Sequence, residues 1–526
     1  MSLTSARLRP AGARVSNSFG SVLWAEWIKL RTVRGWIIAL VLGAAATFLL
    51  CYVAATGPQT GDCSGLPAGA VCSAPRTIVP TGPGGEAVAD TYEFVHRTLT
   101  GDGALTVEIT SFAGVTSTNP SNVQGSLSAS HPGLAAWAKA GLLLTPSTKQ
   151  GSAYASVTAT GGHGTRFQYD YTHDIAGPQQ TTTASTPGWL RLVRSGDTIT
   201  GYASSDGQSW SEVGSVRLAG LPSAVQVGLF TTSPLAFHGA TGYPTLAIAT
   251  FDHITVDGAV DPDSWLGQDI GTDRGSFYPT LATGSYRHSG SSLVVSGSGD
   301  IAPAVVQGLM GTHTASSSLA FPLLVGLLVV IVVAAMFVTT EYRRGLIRTT
   351  FTAVPARGRV LLAKSVVIGA VTFALSLGVM AVAVPLDQHL LRGNGNYVFP
   401  ATTFTQMRIV VGASGVVALA AIMVIALAAM LRRSAAAITA GAAVFLLPFV
   451  LAEAAGAGAA EWLVRLTPAA GLSVLQALTP YSQVSYAYTL SNGYYPLSPL
   501  AGLAVLCAYT LVALGAATVL LHRRDA

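Results

Sequence analysis

Two short polar stretches in an otherwise apolar chain carry the residues with chemistry to offer. The first is TTEYRRGLIRTTF at 339–351, followed by VPARGR at 354–359 and AK at 363–364. It gathers Glu341, Tyr342, Arg343, Arg344 and Arg348. Arg344 and Arg348 are four apart, so a helix would place them on one face. Basic residues flanking an apolar run set topology by themselves, but they do not account for a carboxylate at its very edge. The expectation is that Glu341 pairs with an arginine and orders the turn. The second stretch is SVLWAEWIKLR at 21–31. Trp24, Trp27, Ile28 and Arg31 fall at i, i+3, i+4 and i+7, one aromatic and basic helix face, with Glu26 and Lys29 among them. Such a segment lies in the plane of lipid headgroups; the plainer alternative is a juxtamembrane anchor that only fixes topology.

Catalytic chemistry finds no support. None of Glu86, Glu93, Glu108 or Glu212 begins the E-x-D-x-x-E pattern that would supply two carboxyls to a glycosidic bond, and neither G-x-S-x-G nor H-E-x-x-H occurs. GRVLLAKS at 358–365 ends in Lys364–Ser365 like a phosphate-binding loop, but Ala363 stands where the glycine belongs. No ATP site is therefore expected in this chain. Asp257, Asp261, Asp263, Asp269 and Asp273 could offer oxygen ligands to calcium, yet their spacing is not that of an EF-hand loop, and a solvated loop is the favoured reading. No metal site is expected. Cys63 and Cys72, an isolated pair in a Gly/Ser/Pro-rich stretch, read as a small disulfide loop, since zinc would need more ligands than lie nearby. Cys51 and Cys507 fall in apolar runs and read as buried side chains. Trp189, Trp210 and Tyr202 could stack on sugar rings; at strand positions they read first as core.

The elements that hold these residues follow from composition. The chain has 526 residues, 50% hydrophobic and 10% charged, and its mean hydropathy is +0.50. Soluble domains carry about a quarter charged residues, so an ordinary soluble enzyme is excluded. Six runs, at about 36–53, 319–338, 365–385, 409–431, 435–451 and 500–521, are long and apolar enough to cross a hydrocarbon core. The first is too long, with too long a charged lead, for a cleaved signal peptide. One set of flanks holds 16 Lys and Arg against three acidic residues, and the short loops of the other side hold three of each. Both termini are therefore expected in the cytoplasm of a multi-pass plasma-membrane protein, with 57–317 outside. The net charge of +5 then reflects membrane flanks, and nucleic acid is rejected as a partner. Ionisable residues sit at span ends, as with Glu341, Arg408 and Glu453, which disfavours a proton-coupled carrier. The run 463–478 is too short to cross and reads as re-entrant or interfacial. Tyr481, Tyr486, Tyr488, Tyr494 and Tyr495 after it read as an interfacial belt or, more sharply, as an exit lining.

Residues 57–317 show short β-type runs separated by turn signals, at 105–109, 154–159, 166–171, 189–193, 198–204, 225–231 and 249–256, the pattern of an all-β sandwich. The segments AKAGLL (138–143), GTRFQY (164–169), WLRL (189–192), GYASSDGQSW (201–210) and ATFDHI (249–254) resemble the concanavalin/laminin-G-like jelly-roll sandwiches over about 100–257. WLGQDIG (265–271) and GSGDI (297–301) look like fragments of a similar sheet, so 258–310 either forms a partial second sandwich or completes the first. Such a domain could bind a surface glycan or a partner protein, and no residue in the sequence singles out either.

The membrane part resembles another family. The E-Y-R-R-G-x-I-R-x-T stretch from Glu341, the Pro–x–Arg–x–Arg turn from Pro355, the Ala363–Lys364 pair opening the third span, and W-A-E-W-x-K-L-R-T at 24–32 resemble the ABC-2 type permease subunits of bacterial ATP-driven transporters. The resemblance covers all but the external insert: 1–56 with an amphipathic elbow helix (Trp24, Glu26, Trp27, Lys29, Arg31) and the first span, and 318–526 with five more spans and a coupling loop at 339–364. It implies an inner-surface elbow, a loop (Glu341, Tyr342, Arg343, Arg344, Arg348) that meets a separate ATPase subunit holding ATP and magnesium, and a second permease subunit, identical or not. The large insert between the first two spans departs from the family's short loop and leaves the substrate open. The alternative is a surface receptor or glycan-binding protein whose helices tether or signal.

Overall fold

The computed structural model describes residues 18–57, 79–123, 125–177, 188–238, 241–261, 265–271, 278–305, 312–343, 345–346, 350, 352, 354, 356–454, 457–478, 480–485, 488 and 493–523. Cys63, Cys72, Arg344 and Arg348 lie outside the described residues, as do Asp263, Asp273 and Tyr486.

A short helix α1 (Phe19–Thr32) opens the described chain, its first turn capped by the Ser18 hydroxyl accepting from the Ser21 amide. Val33 breaks it from α2 (Arg34–Thr56). After the β domain come α3 (Ala320–Arg343), α4 (Arg357–Gly393), α5 (Thr403–Leu431), α6 (Ser434–Ala454), the short α7 (Ala457–Arg465) and α8 (Pro499–Arg523). Six of these, α2 to α6 and α8, are long and apolar enough to cross a membrane, and they coincide with the six apolar runs of the sequence. α4 is the exception in length. Its 37 residues span about 55 Å at the α-helical rise, well beyond a hydrocarbon core, because its polar flanks continue helical past both ends of the apolar run.

α5 is the central helix. Ala413, Ala420, Ala421, Ala426 and Ala428 are buried around its circumference, and such small side chains let neighbouring helices approach closely where no hydrophobic effect drives them together. The run 463–478 becomes α7 and a 3₁₀ turn (Pro468–Leu475) whose eight residues are all buried, packed between α5 and α8. Gly502 of α8 permits that approach, since a Cβ there would stand 2.1 Å from the Ala470 carbonyl oxygen. The short run thus enters the bundle without crossing it.

Among the described residues the β domain is built on a hydrogen-bonded sheet of 14 strands that doubles over on itself, with two separate two-stranded pairs beside it. Its spine is the 26-residue strand Tyr92–Ser117. The first half pairs with Ala224–Thr232 and Leu266–Ile270, the second with Trp189–Ser195 and Thr245–Val260. Gly101 takes φ +75° between the halves, a conformation that favours glycine, so the strand changes partners there and the sheet folds back. Phe167 from one layer lies against Gly201 and Gly214 of the other, and Leu105, Leu142, Val157, Leu190, Ile199 and Phe251 fill the space between. Every β-type run expected from the sequence falls within or largely overlaps a strand. The choice left open for 258–310 is resolved: Leu266–Ile270, Ser285–Ser289 and Ser292–Gly297 join the main sheet, and Ile301–Pro303 pairs with Val88–Asp90. They complete one unit.

The β domain rests on the bundle. Val79, Ala87, Leu235, Tyr278 and Val305 form an apolar cluster with Phe399 and Tyr494, and Tyr481 and Tyr488 pack against it. The Ser482 hydroxyl donates to Asp174 at 2.7 Å, Tyr397 to the Gly85 carbonyl at 2.7 Å, and Gln483 to the Tyr171 carbonyl at 2.5 Å. Of the tyrosines read as a belt or an exit lining, Tyr481, Tyr488 and Tyr494 pack between the two parts of the molecule, Tyr488 also bordering a cleft there, whereas Tyr495 is buried in the bundle against Phe449.

Candidate functional site

The site forms where α1, α3 and α4 meet, at the ends of α3 and α4 opposite the β domain. α1 turns its Val22, Glu26 and Leu30 stripe inward, with Val22 against Val360 and Ala363 of α4. The face expected from spacing, Trp24, Trp27, Ile28 and Arg31, points outward. An inward stripe at i, i+4, i+8 delivers one carboxylate, Glu26, into the helix packing.

Four side chains share charge there. Lys364 donates to Glu26 Oε2 at 2.6 Å and to Glu341 Oε1 at 2.7 Å. Lys29 donates to Glu26 Oε1 at 2.7 Å and to Glu341 Oε1 at 3.2 Å. Glu26 is 1% exposed, Glu341 7% and Lys364 2%, whereas Lys29 keeps one side in solvent. The Lys364 ammonium lies 4.7 Å from the Phe337 ring centroid, and Trp36 meets that ring edge-on at 5.0 Å. Two carboxylates and two ammoniums are formally neutral, which is what makes their burial tolerable: an isolated charge would cost several kcal/mol in such surroundings. For Lys29 burial works against the proton, but Glu26 and Glu341 more than reverse this and hold the ammonium above the ordinary lysine range.

The expectation that Glu341 pairs with an arginine is corrected: its partners are Lys364 and Lys29. An arginine on the following turn would reach Glu341 from its own helix, but the second turn of α4 extends the Lys364 side chain to that level. Arg343 is exposed, and Tyr342 carries the Arg432 guanidinium 5.4 Å over its ring. Lys364 is the member that sequence reasoning passed over. It appeared as the end of a failed phosphate loop and as a topology-setting flank, although a lysine followed by 22 residues without a charge is a candidate buried partner for an acid on a neighbouring helix.

In the β domain, Asp257 and Asp261 are exposed, and among the described residues no group of three metal-ligating side chains converges. Trp189, Tyr202 and Trp210 are half-buried and outside the inter-layer core, contrary to the reading of them as core. Asp269 stands directly across the strands from Glu93. Burial, with Asp269 adding to it, pushes the Glu93 carboxyl up to about 7, and burial lifts Asp90 to about 6. Both values exceed those of an unfolded chain, so the native state binds more protons between about pH 4 and pH 7 and loses stability as pH rises through that window. The β domain is expected to be more stable at pH 5 than at pH 8 by on the order of 2 kcal/mol. Glu93→Gln should flatten that slope in thermal melts of the full chain; an unchanged slope would remove Glu93 as its source.

Comparison with known proteins adds little. No protein-family model and no curated protein matches this chain. Among solved structures, one described as a functionally unknown protein from Saccharomyces cerevisiae aligns at 13% identity over 35% of this chain and 85% of its own, with a TM-score of 0.19. Scytalido-glutamic peptidase with a peptide-based transition-state analogue aligns at 10% identity over 40% of this chain and 98% of its own, with a TM-score of 0.21. Likeness at that level carries no argument about chemistry.

Proposed function

We propose that this chain is the permease subunit of an ATP-driven transporter of the ABC-2 type, working as an exporter in a dimer of permeases with two separately encoded ATPase chains that hold ATP and magnesium. The observation that carries the reading is the buried four-residue ion cluster. It ties an amphipathic surface helix to the last turn of α3 and the second turn of α4, the two helices joined by the 344–356 connection. A push on that connection would be transmitted as a rigid shift of α1, α3 and α4 together, because parting any two of them strands a buried charge. The Lys and Arg bias of the flanks supports placing this end in the cytoplasm and the β domain outside, and the doubled sheet supports a jelly-roll relationship for the insert.

Two measurements test the reading. Detergent-extracted protein should bring down an ATPase subunit, and purification without any nucleotide-hydrolysing partner would sink it. Glu341→Gln keeps the shape of the side chain and most of its hydrogen bonding while removing the charge. It should leave assembly intact and lower transport per ATP hydrolysed about tenfold, the scale of an ordinary coupling energy. Normal transport would confine the cluster to a structural role.

One observation favours a second reading, a ligand-binding receptor. A cleft of about 620 Å³ separates the β domain from the outer loops and is lined by His131, Trp137, His163, Phe237, His238 and Tyr488, a size and mix of aromatic and polar groups suited to a small ligand or glycan. Six long apolar helices exceed what a tether needs, so this reading ranks second.

A further inference from the structure

One turn beyond Glu26, α1 takes part in a second feature that the ion cluster does not use. Between α1, the start of α2 and the middle of α4 runs a crevice of about 160 Å³, walled by Leu30, Leu40, Val371 and Leu375, with the more exposed Trp27 and Arg31 also bordering it. Apart from Arg31 its side chains offer hydrocarbon and aromatic surface. Arg31 itself makes no ion pair or hydrogen bond to any described residue, and neither does Arg34 three positions on. Lys29, two residues earlier, is consumed by two carboxylates, and both of those acids are held by lysines. The crevice therefore joins an apolar slot to a guanidinium that pairs with no described residue.

We propose that this crevice is a fixed site for an anionic phospholipid, one acyl chain occupying the slot and the phosphate resting on the Arg31 guanidinium. The slot demands hydrocarbon, since water there would leave its hydrogen bonds unmade. The guanidinium demands an anion, and its planar fork matches a phosphate bidentately. Trp27 stands where an amphipathic ring favours the boundary between the two. A zwitterionic headgroup brings its own ammonium and gains less from Arg31 and Arg34, so a net negative lipid is selected. Bound there, the lipid braces the helix that carries Glu26 against α4, and its loss would loosen the hold of α1 on the ion cluster. The inference rests on α1 lying along a lipid surface and is independent of any ATPase.

The test uses the full chain, delipidated in mild detergent, incubated with phosphatidylglycerol or phosphatidylcholine and examined by native mass spectrometry. One phosphatidylglycerol per chain should survive gentle activation, and phosphatidylcholine should be shed. Arg31→Glu should weaken phosphatidylglycerol retention at least about tenfold, some 1.4 kcal/mol, with an unchanged helical spectrum, because Arg31 is exposed and bonded to nothing described. Val371→Trp fills the slot and should lower retention with the arginine intact. Equal retention of the two lipids, or phosphatidylglycerol held as firmly after Arg31→Glu, would overturn the site. Because no ATPase is present, that failure would leave the permease reading untouched.

Discussion

Replacing Lys364 by methionine is expected to cost about 3–5 kcal/mol, the scale measured when one partner of a buried ion pair is removed. The substitution keeps the length and volume of the stem and its contact with Phe337, so the loss is electrostatic. Glu26 and Glu341 would then face each other as two buried carboxylates with the half-exposed Lys29 alone between them. α1 should come away from α3 and α4, visible as faster amide exchange over 19–32 and as a lowered unfolding midpoint in detergent. The control is the charge-balanced double variant Glu26→Gln/Lys364→Met, which leaves Lys29 and Glu341 as a neutral pair and should recover most of the loss; a double-mutant cycle measures the coupling. If the single variant melts like the wild type, the cluster is not what holds the helices together. The same logic predicts that reversing Glu341 to Lys disrupts the packing itself, so the charge-neutral Glu341→Gln is the cleaner probe of coupling.

Lys139→Met should be as damaging in the β domain. Lys139 is fully buried, its ammonium donating to Asp300 at 2.8 Å and to the Ile301 carbonyl at 2.6 Å. Burial pushes the Asp300 carboxyl up and the Lys139 charge beside it pulls it back. Without the lysine, Asp300 loses its counter-ion, and the strand Ile301–Pro303, which pairs with Val88–Asp90, loses the bond to its first carbonyl. A loss of about 3–5 kcal/mol is again the expected scale. It should shrink at acidic pH, where Asp300 takes up a proton, and should be largely relieved by adding Asp300→Asn. Limited proteolysis near 298–305 together with near-ultraviolet circular dichroism reads the effect. A variant as resistant as the wild type at pH 8 would show that the pair is dispensable.

Much of this architecture was legible beforehand, and for identifiable reasons. A run such as 409–431 has no charge between Arg408 and Arg432, so length and composition alone make it a helix long and apolar enough to span a membrane. Alternating runs such as Trp189–Ser195, bounded by Gly and Asp turns, can bury one face only as strands. Glu26, Lys29 and Glu341 stood out as acids and bases set at membrane edges. These are local signals, carried by neighbours along the chain.

What the sequence by itself determined is therefore the inventory: six apolar helices, an amphipathic helix before them, an inserted β domain, and the residues with charge to share. The tertiary structure decided the partners. Glu341 meets Lys364, 23 residues on, and Lys29, 312 residues back, because helix packing sets which faces oppose one another, and no periodicity within a single helix encodes its neighbour's rotation. The same holds for Tyr481, Tyr488 and Tyr494, whose place between the sheet and the bundle depends on how a folded-over sheet comes to rest. It holds too for 258–310, whose strands joined the first sheet once Tyr92–Ser117 bent at Gly101 and left both its flanks open to pairing. Local physics fixes what each segment is; the burial of charge and apolar surface between distant segments fixes what it does there.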